Sequence, residues 1–349
     1  MKRERYLQTE GSTTIASSES SPGCAQAPLT GQPPVLETTV QAFLDSLAGT
    51  ETLAFRELGF DQARKRLARL QGGLVAAPPV SIEDKIFPIG PTGSVGVRIF
   101  RPPEANTGDP VVLYLHGGCW VMGGKATHDR LVRELAVGTG ATVIFVDYSL
   151  APEARYPVQN EQAYAVLEYV AENAAKLDFD ASRIAVAGDC AGGNIAAAVT
   201  LLAKQRRGPG IAFQLLFYPV LCDVAEGDSY EAFKDGPWLT RRAMHRFLDA
   251  AFPDPARRRE VTAFPLQASI VQLNDLPAAL VIVPENDVVR DEGECYVRRL
   301  VEAGVSATSI RYSGTIHDFV VLNGLAEAPA TRSAISQACA ALKAALFGG

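Results

Sequence analysis

The chain has 349 residues, of which 47% are hydrophobic and 21% charged, the make-up of a globular protein with one large core or two small ones. With 33 basic against 39 acidic side chains the formal charge is −6, and basic residues are scattered apart from short runs such as Arg257-Arg258-Arg259, read as a solvated face; nothing here suits nucleic acid. No apolar run reaches the ~18 residues of a membrane-spanning helix, and the six cysteines lack CxxC or zinc-type spacing, so no membrane anchor, disulfide framework, metal or organic cofactor is expected.

The opening MKRER leads into sequence rich in Ser, Thr, Gly, Pro and Gln with no apolar centre. Residues 1–32 therefore read as a disordered tail rather than a signal peptide, and the cytoplasm is the default compartment. From 34 to about 74 the spacing is helical: Val40, Phe43, Leu44 and Leu47, then Ala63, Leu67 and Leu70. These helices precede the first strand, which makes 33–80 a candidate N-terminal helical cap.

A regular alternation fills 81–349. Strand-like runs lie at 85–88, 95–100, 111–115, 142–146, 184–187, 213–218, 279–283 and 309–312, the first two close enough for a hairpin. Helical patterns lie at 129–136, 161–175, 194–204, 289–302 and 332–346. Strands alternating with helices imply an α/β protein whose eight-stranded, mostly parallel sheet carries helices on both faces. The rhythm breaks over about 220–276, where Trp238 and an amphipathic stretch at 239–252 suggest a second piece of the cap.

Four motifs carry chemistry. Gly188-Asp189-Cys190-Ala191-Gly192 follows an apolar strand and opens a helix, the setting a G-x-nucleophile-x-G elbow requires. Its small neighbours permit a sharp turn, and the helix N-terminus favours thiolate over thiol. Alone, a buried structural cysteine on such a turn is an equal reading. His116-Gly117-Gly118-Cys119-Trp120 ends another strand; its backbone N–H groups, with that of Ala191, can converge on an oxyanion, His116 shaping the loop and Trp120 packing. Asp287 follows a late strand within Pro284-Glu285-Asn286-Asp287, and His317 follows the last one within Ile316-His317-Asp318-Phe319. Of the four histidines, His317 alone lies after the acid and at a strand end. The order nucleophile, acid, base is that of one hydrolase architecture.

At this point the sequence resembles the bacterial hormone-sensitive-lipase family of esterases, the GDSAG branch of the α/β-hydrolase superfamily. The matching stretches are HGGCWVMGG (116–124), DYSLAPEARYP (147–157), GDCAGGN (188–194), FYPV (217–220), END with RDEG downstream (285–293) and IHDF (316–319). They span about 80–320, and the helices at 34–74 fit that family's N-terminal cap. The resemblance implies an α/β-hydrolase fold and a catalytic triad of Cys190, Asp287 and His317. It also implies an oxyanion hole at Gly118, Cys119 and Ala191, with His116, Gly117, Asp189 and Glu153 supporting the site.

Two positions depart from the family pattern, which has serine where this chain has Cys190 and a third glycine where it has Cys119. Cys190 is an introduced change, a natural thiol nucleophile, or the mark of lost catalysis. The second departure argues for natural drift. Three functions compete: a carboxylesterase or thioesterase-like hydrolase of small acyl esters or thioesters, an acyltransferase or cyclising enzyme using the same acyl-cysteine, and a non-catalytic binding protein on a hydrolase scaffold. By analogy alone, the last helix and the strand at 309–312 are candidate homodimer surfaces. If Cys119 and Cys190 line one cavity, they could pair under oxidation.

Overall fold

The protein is described by a computed structural model over residues 34–48, 58–73 and 75–348. The tail expected at 1–32 and parts of the 33–80 segment lie outside the described residues. Two helices come first, α1 (Thr38–Ala48) and α2 (Phe60–Leu70). Strands β1 (Ser81–Phe87), β2 (Val95–Arg101) and β3 (Asp109–Leu115) precede α3 (Asp129–Thr139), β4 (Thr142–Asp147), α4 (Val158–Glu172) and the short α5 (Ala174–Leu177). Next come β5 (Phe179–Asp189), α6 (Ala191–Arg206) and β6 (Phe213–Phe217). An excursion with α7 (Asp228–Ala232), α8 (Arg241–Ala251) and α9 (Ile270–Leu273) leads to β7 (Ala278–Asn286), α10 (Arg290–Glu302), β8 (Ala307–Ile316) and α11 (Pro329–Phe347).

The strands form one sheet in the order β1-β2-β4-β3-β5-β6-β7-β8. β1 and β2 make the expected hairpin, β2 also runs antiparallel to β4, and every pairing from β4 to β8 is parallel. Parallel strands are covered on both faces, so β3 and β4 are almost continuously apolar and buried, as Val111–Leu115 and Thr142–Val146 show. At the two edges, β1 and β8 are largely exposed outside the buried end of each.

Several elements run beyond the expected bounds, α6 and β5 among them. Helix α6 begins at Ala191 and takes in Gly192 and Gly193, which weak helix propensity argued against. Contact decides the matter: a Cβ on Gly192 would overlap the Leu115 carbonyl, so only glycine lets the helix start against the end of β3. Strand β5 reaches back to Phe179, which pairs with Asp109, while Asp180, Ser182 and Arg183 lie in the register shift before Ile184 and carry no apolar signal.

Arg64 fastens α2 to the sheet's connecting loops. Its Nε donates to the Val121 carbonyl (2.7 Å), one Nη to the Ala151 carbonyl (2.8 Å), and both Nη atoms to Glu153 (2.8 and 2.7 Å). The Glu153 side chain is 64% exposed, so that ion pair alone contributes little. The bonds to two backbone carbonyls dominate. We expect Arg64→Ala to lower unfolding free energy by about 2 kcal/mol and to speed proteolysis around α2, read by urea denaturation and limited proteolysis; an unchanged variant would show that α2 is held elsewhere.

Candidate active site

The C-terminal ends of β3, β5, β7 and β8 bring the four motifs to one edge of the sheet. Between β5 and α6, Cys190 sits at φ 51° and ψ −117°, left-handed backbone that a side chain adopts only when its surroundings impose it. The imposition is visible. Cys190 N–H donates to the Phe217 carbonyl (2.9 Å), and its carbonyl accepts from Asn194 (3.1 Å) and Val220 (3.2 Å). The Asn194 amide in turn donates to the carbonyls of Val220 and Ala263, both at 2.8 Å. The sulfur is fully buried at the start of α6.

Facing it is the loop after β3. Gly118 at φ 104° could not carry a side chain, because its Cβ would overlap Met122 backbone. Cys119 (φ 52°) and Trp120 (φ 61°) also occupy the left-handed region, so the loop follows a glycine-like path although both residues carry a Cβ. Among the described residues no acceptor takes the N–H of Gly118 or Cys119. Ala191, first residue of α6, has the free N–H of any helix start. The Cys119 sulfur lies 3.8 Å from that of Cys190.

Asp189 locks loop and elbow together. Its buried carboxylate accepts from the Tyr114 hydroxyl (2.7 Å), the Gly117 N–H (2.9 Å) and His128 Nε2 (3.3 Å). Burial would raise this carboxyl, but His128 and Tyr114 outweigh it and hold it below the usual range. His116 is stacked on Tyr148 with rings 4.1 Å apart, its Nδ1–H donating to the Gly117 carbonyl (2.8 Å). Burial lowers it to about 3, so it stays neutral and shapes the loop. Trp120 packs edge-on against Phe252, ring centres 5.0 Å apart.

Asp287 directly follows β7 and its Oδ2 accepts from His317 Nδ1 at 2.7 Å. Both side chains are buried, and among the described residues His317 Nε2 has no hydrogen-bond partner. Burial would lower the imidazolium, but Asp287, Asp318 and the Cys190 sulfur lift it well above the ordinary imidazole range. The Cys190 thiol is likewise pushed well above the ordinary range, first by the adjacent Cys119 sulfur and then by burial, while His317 acts the other way. The thiolate expected from the helix N-terminus is thus outweighed in the resting site, where the proton has to be removed.

Leu67 of α2, Met122, Trp238, Leu239, Ala243 and Phe247, the last two on α8, line the cavity above Cys190 and His317 with apolar surface. Its free volume is about 40 Å³. Phe43 stands behind Trp238, ring centres 5.8 Å apart, bracing the wall instead of lining it. Glu153 is not among the lining residues either; its carboxylate pairs with Arg64, which bonds the Val121 carbonyl.

Three neighbours escaped the sequence reading. His128 binds Asp189, the residue before Cys190. Asp318, at φ 64°, accepts from the Trp238 indole (2.9 Å) and lies 3.5 Å from His317 Nε2. Tyr218, at φ 35°, packs its ring 4.7 Å from that of His317 with its hydroxyl buried and unpartnered. The last two lie inside the FYPV and IHDF stretches, so position marked them although chemistry did not.

A fold of this topology, with these motifs at adjacent strand ends, defines an α/β hydrolase. The model of the alpha/beta hydrolase fold family matches residues 112–321, and the chain belongs to that family. The carboxylesterase NlhH of Mycobacterium tuberculosis is 38% identical over 315 residues, covering 90% of this chain and 97% of that protein. Esterase LipI of the same organism is 36% identical, covering 83% and 90%. A thermostable esterase of Pseudomonas putida has a crystal structure that superposes with a TM-score of 0.88 at 40% identity, covering 90% of this chain and 99% of that one.

Asp189→Ala should destabilise the protein by at least about 3 kcal/mol, since it strands the buried donors of Tyr114, Gly117 and His128. Urea unfolding would read this, and a loss below 1 kcal/mol on that same scale would mean that water replaces the carboxylate.

Proposed function

We propose that the chain is a carboxylesterase of the hormone-sensitive-lipase-like GDSAG branch, cleaving small acyl esters through an acyl-Cys190 intermediate. The observation that carries this is the buried Asp287–His317 pair at 2.7 Å, its free Nε2 turned to the same cavity as a cysteine on a strained elbow. Asp287 holds the imidazole by Nδ1 and stabilises its protonated form, and Nε2 takes the Cys190 proton. The sulfur attacks the ester carbonyl, and the N–H groups of Gly118, Cys119 and Ala191 receive the oxyanion. His317 then protonates the leaving alcohol and activates the water that releases the acid.

Helices α1 and α2 and the excursion between β6 and β7 act together as the cap. Their apolar wall suits the acyl chain of an ester. The esterase names of the relatives support this substrate class.

Incubation with p-nitrophenyl butyrate, quenched in acid, should give a butyryl adduct that maps to the Cys190 peptide by mass spectrometry. Cys190→Ala should abolish the adduct, and Asp287→Asn should lower kcat about 10⁴-fold, through the wrong imidazole tautomer. An adduct elsewhere, or full activity without Cys190, would sink the mechanism.

The same electrostatics set the pH profile. Below the raised His317 value the imidazole already carries a proton and cannot accept one, so activity is lost as pH falls. The raised thiol works in the same direction, because deprotonation becomes easier only as pH rises. The rise of kcat/KM should therefore lie above the ordinary imidazole range, and Cys119→Gly, which removes the largest cause of the thiol's shift, should move it to lower pH. An unmoved profile would show that the Cys119 sulfur does not govern Cys190.

A further inference from the structure

We infer that Cys119 and Cys190 form a redox couple, in which hydrogen peroxide entering the cavity converts the active dithiol into an intramolecular disulfide that a dithiol reductant reopens. The two sulfurs are 3.8 Å apart although 71 residues separate them in sequence. Both are buried, and both residues line the same cavity. A disulfide bond is about 2.05 Å long, so each sulfur needs to move only about 0.9 Å along the line between them. Both backbones are firmly held: the Cys190 N–H and carbonyl are bonded, and Val121 and Met122 N–H close onto the Gly118 carbonyl before Cys119. Closure therefore falls to side-chain rotation. Cys339 is different, its sulfur resting on the Glu134 carbonyl.

The site also supplies the chemistry. His317 accepts the Cys190 proton and the sulfur attacks one oxygen of the peroxide, breaking the O–O bond. The other oxygen leaves as hydroxide and takes the proton from His317 as water, while Cys190 becomes a sulfenic acid. The Cys119 sulfur then attacks the Cys190 sulfur, and the sulfenic oxygen leaves as a second water with the Cys119 proton. Two thiols and one peroxide thus give one disulfide and two waters. A peroxide occupies little more room than two waters, so it fits a cavity of about 40 Å³. The neighbouring thiol diverts the sulfenic acid from further oxidation, which in a solitary cysteine proceeds irreversibly to sulfinic acid.

Formation of the disulfide rests on geometry alone; its silencing of the enzyme rests on Cys190 being the nucleophile. The full-length protein, reduced and freed of reductant, is treated with hydrogen peroxide, alkylated with iodoacetamide and digested without reduction. Mass spectrometry should find the peptides of Cys119 and Cys190 joined. Hydrolysis of p-nitrophenyl butyrate should fall in step with the joined fraction and return with dithiothreitol. In Cys119→Ser the same treatment should carry Cys190 past the sulfenic acid to sulfinic acid, and dithiothreitol should fail to recover the loss. Alkylation of both cysteines after peroxide, or a joined protein of undiminished activity, would overturn the couple as a switch. Joined peptides in a protein whose reduced form has no esterase activity would uphold the disulfide and refute the nucleophile assignment instead.

Discussion

The start of α6 lies so close to the end of β3 that Gly192 has no room for a side chain beneath the Leu115 carbonyl. That approach forces the chain leaving β5 to turn within one residue, and the residue at the turn is Cys190, at φ 51°. Strain of this kind persists only where the surroundings over-determine it. Here backbone bonds from Phe217, Asn194 and Val220 hold the elbow, and Asp189 ties it to Gly117 across the adjacent strand. The position of the sulfur, the aim of the facing N–H groups and the register of the loop after β3 are therefore one packing solution. Little of this could be altered separately.

Around the elbow the ionisable groups are packed inside the protein. Asp189, Asp287 and His317 are almost wholly buried, each with a partner, which is the condition on which charge is tolerated in an interior. Asp318 adds a second carboxylate near His317 Nε2, held by the Trp238 indole. The imidazole thus sits between two acids and beside a thiol, and all three neighbours favour its protonated form. Cys119 brings a second polarisable sulfur into contact with the first. The imidazolium and the Cys190 thiol both hold their protons tightly.

The wall above the site has a different physical basis. Leu67, Trp238, Leu239, Ala243 and Phe247 meet over the cavity through apolar contact, while their helices are tied down by a few polar bonds, Arg64 foremost. A wall of that composition selects by size and apolarity rather than by charge. Its link to the chemistry is the Trp238–Asp318 bond, which joins the excursion between β6 and β7 to the residue after His317.

Local sequence determined a good deal. Alternating apolar runs and helical spacings set the α/β class and the approximate elements, because burial on both faces of a parallel sheet leaves a continuous apolar signature. Motif order marked Cys190, Asp287 and His317, since a sharp turn, a strand end and a chemically able side chain are all written in a few consecutive residues. Glu153 was legible only as a support, and its partner Arg64, 89 residues away, was not legible at all. Tertiary structure alone decided which distant groups meet: His128 under Asp189, Tyr218 against His317, and the two sulfurs at 3.8 Å. It also overruled two local preferences, starting α6 across a pair of glycines and outweighing the thiolate-favouring helix end with burial and a neighbouring thiol. Propensity and dipole act over a single turn, whereas close packing and desolvation depend on every element that crowds the site, and here the crowd prevailed.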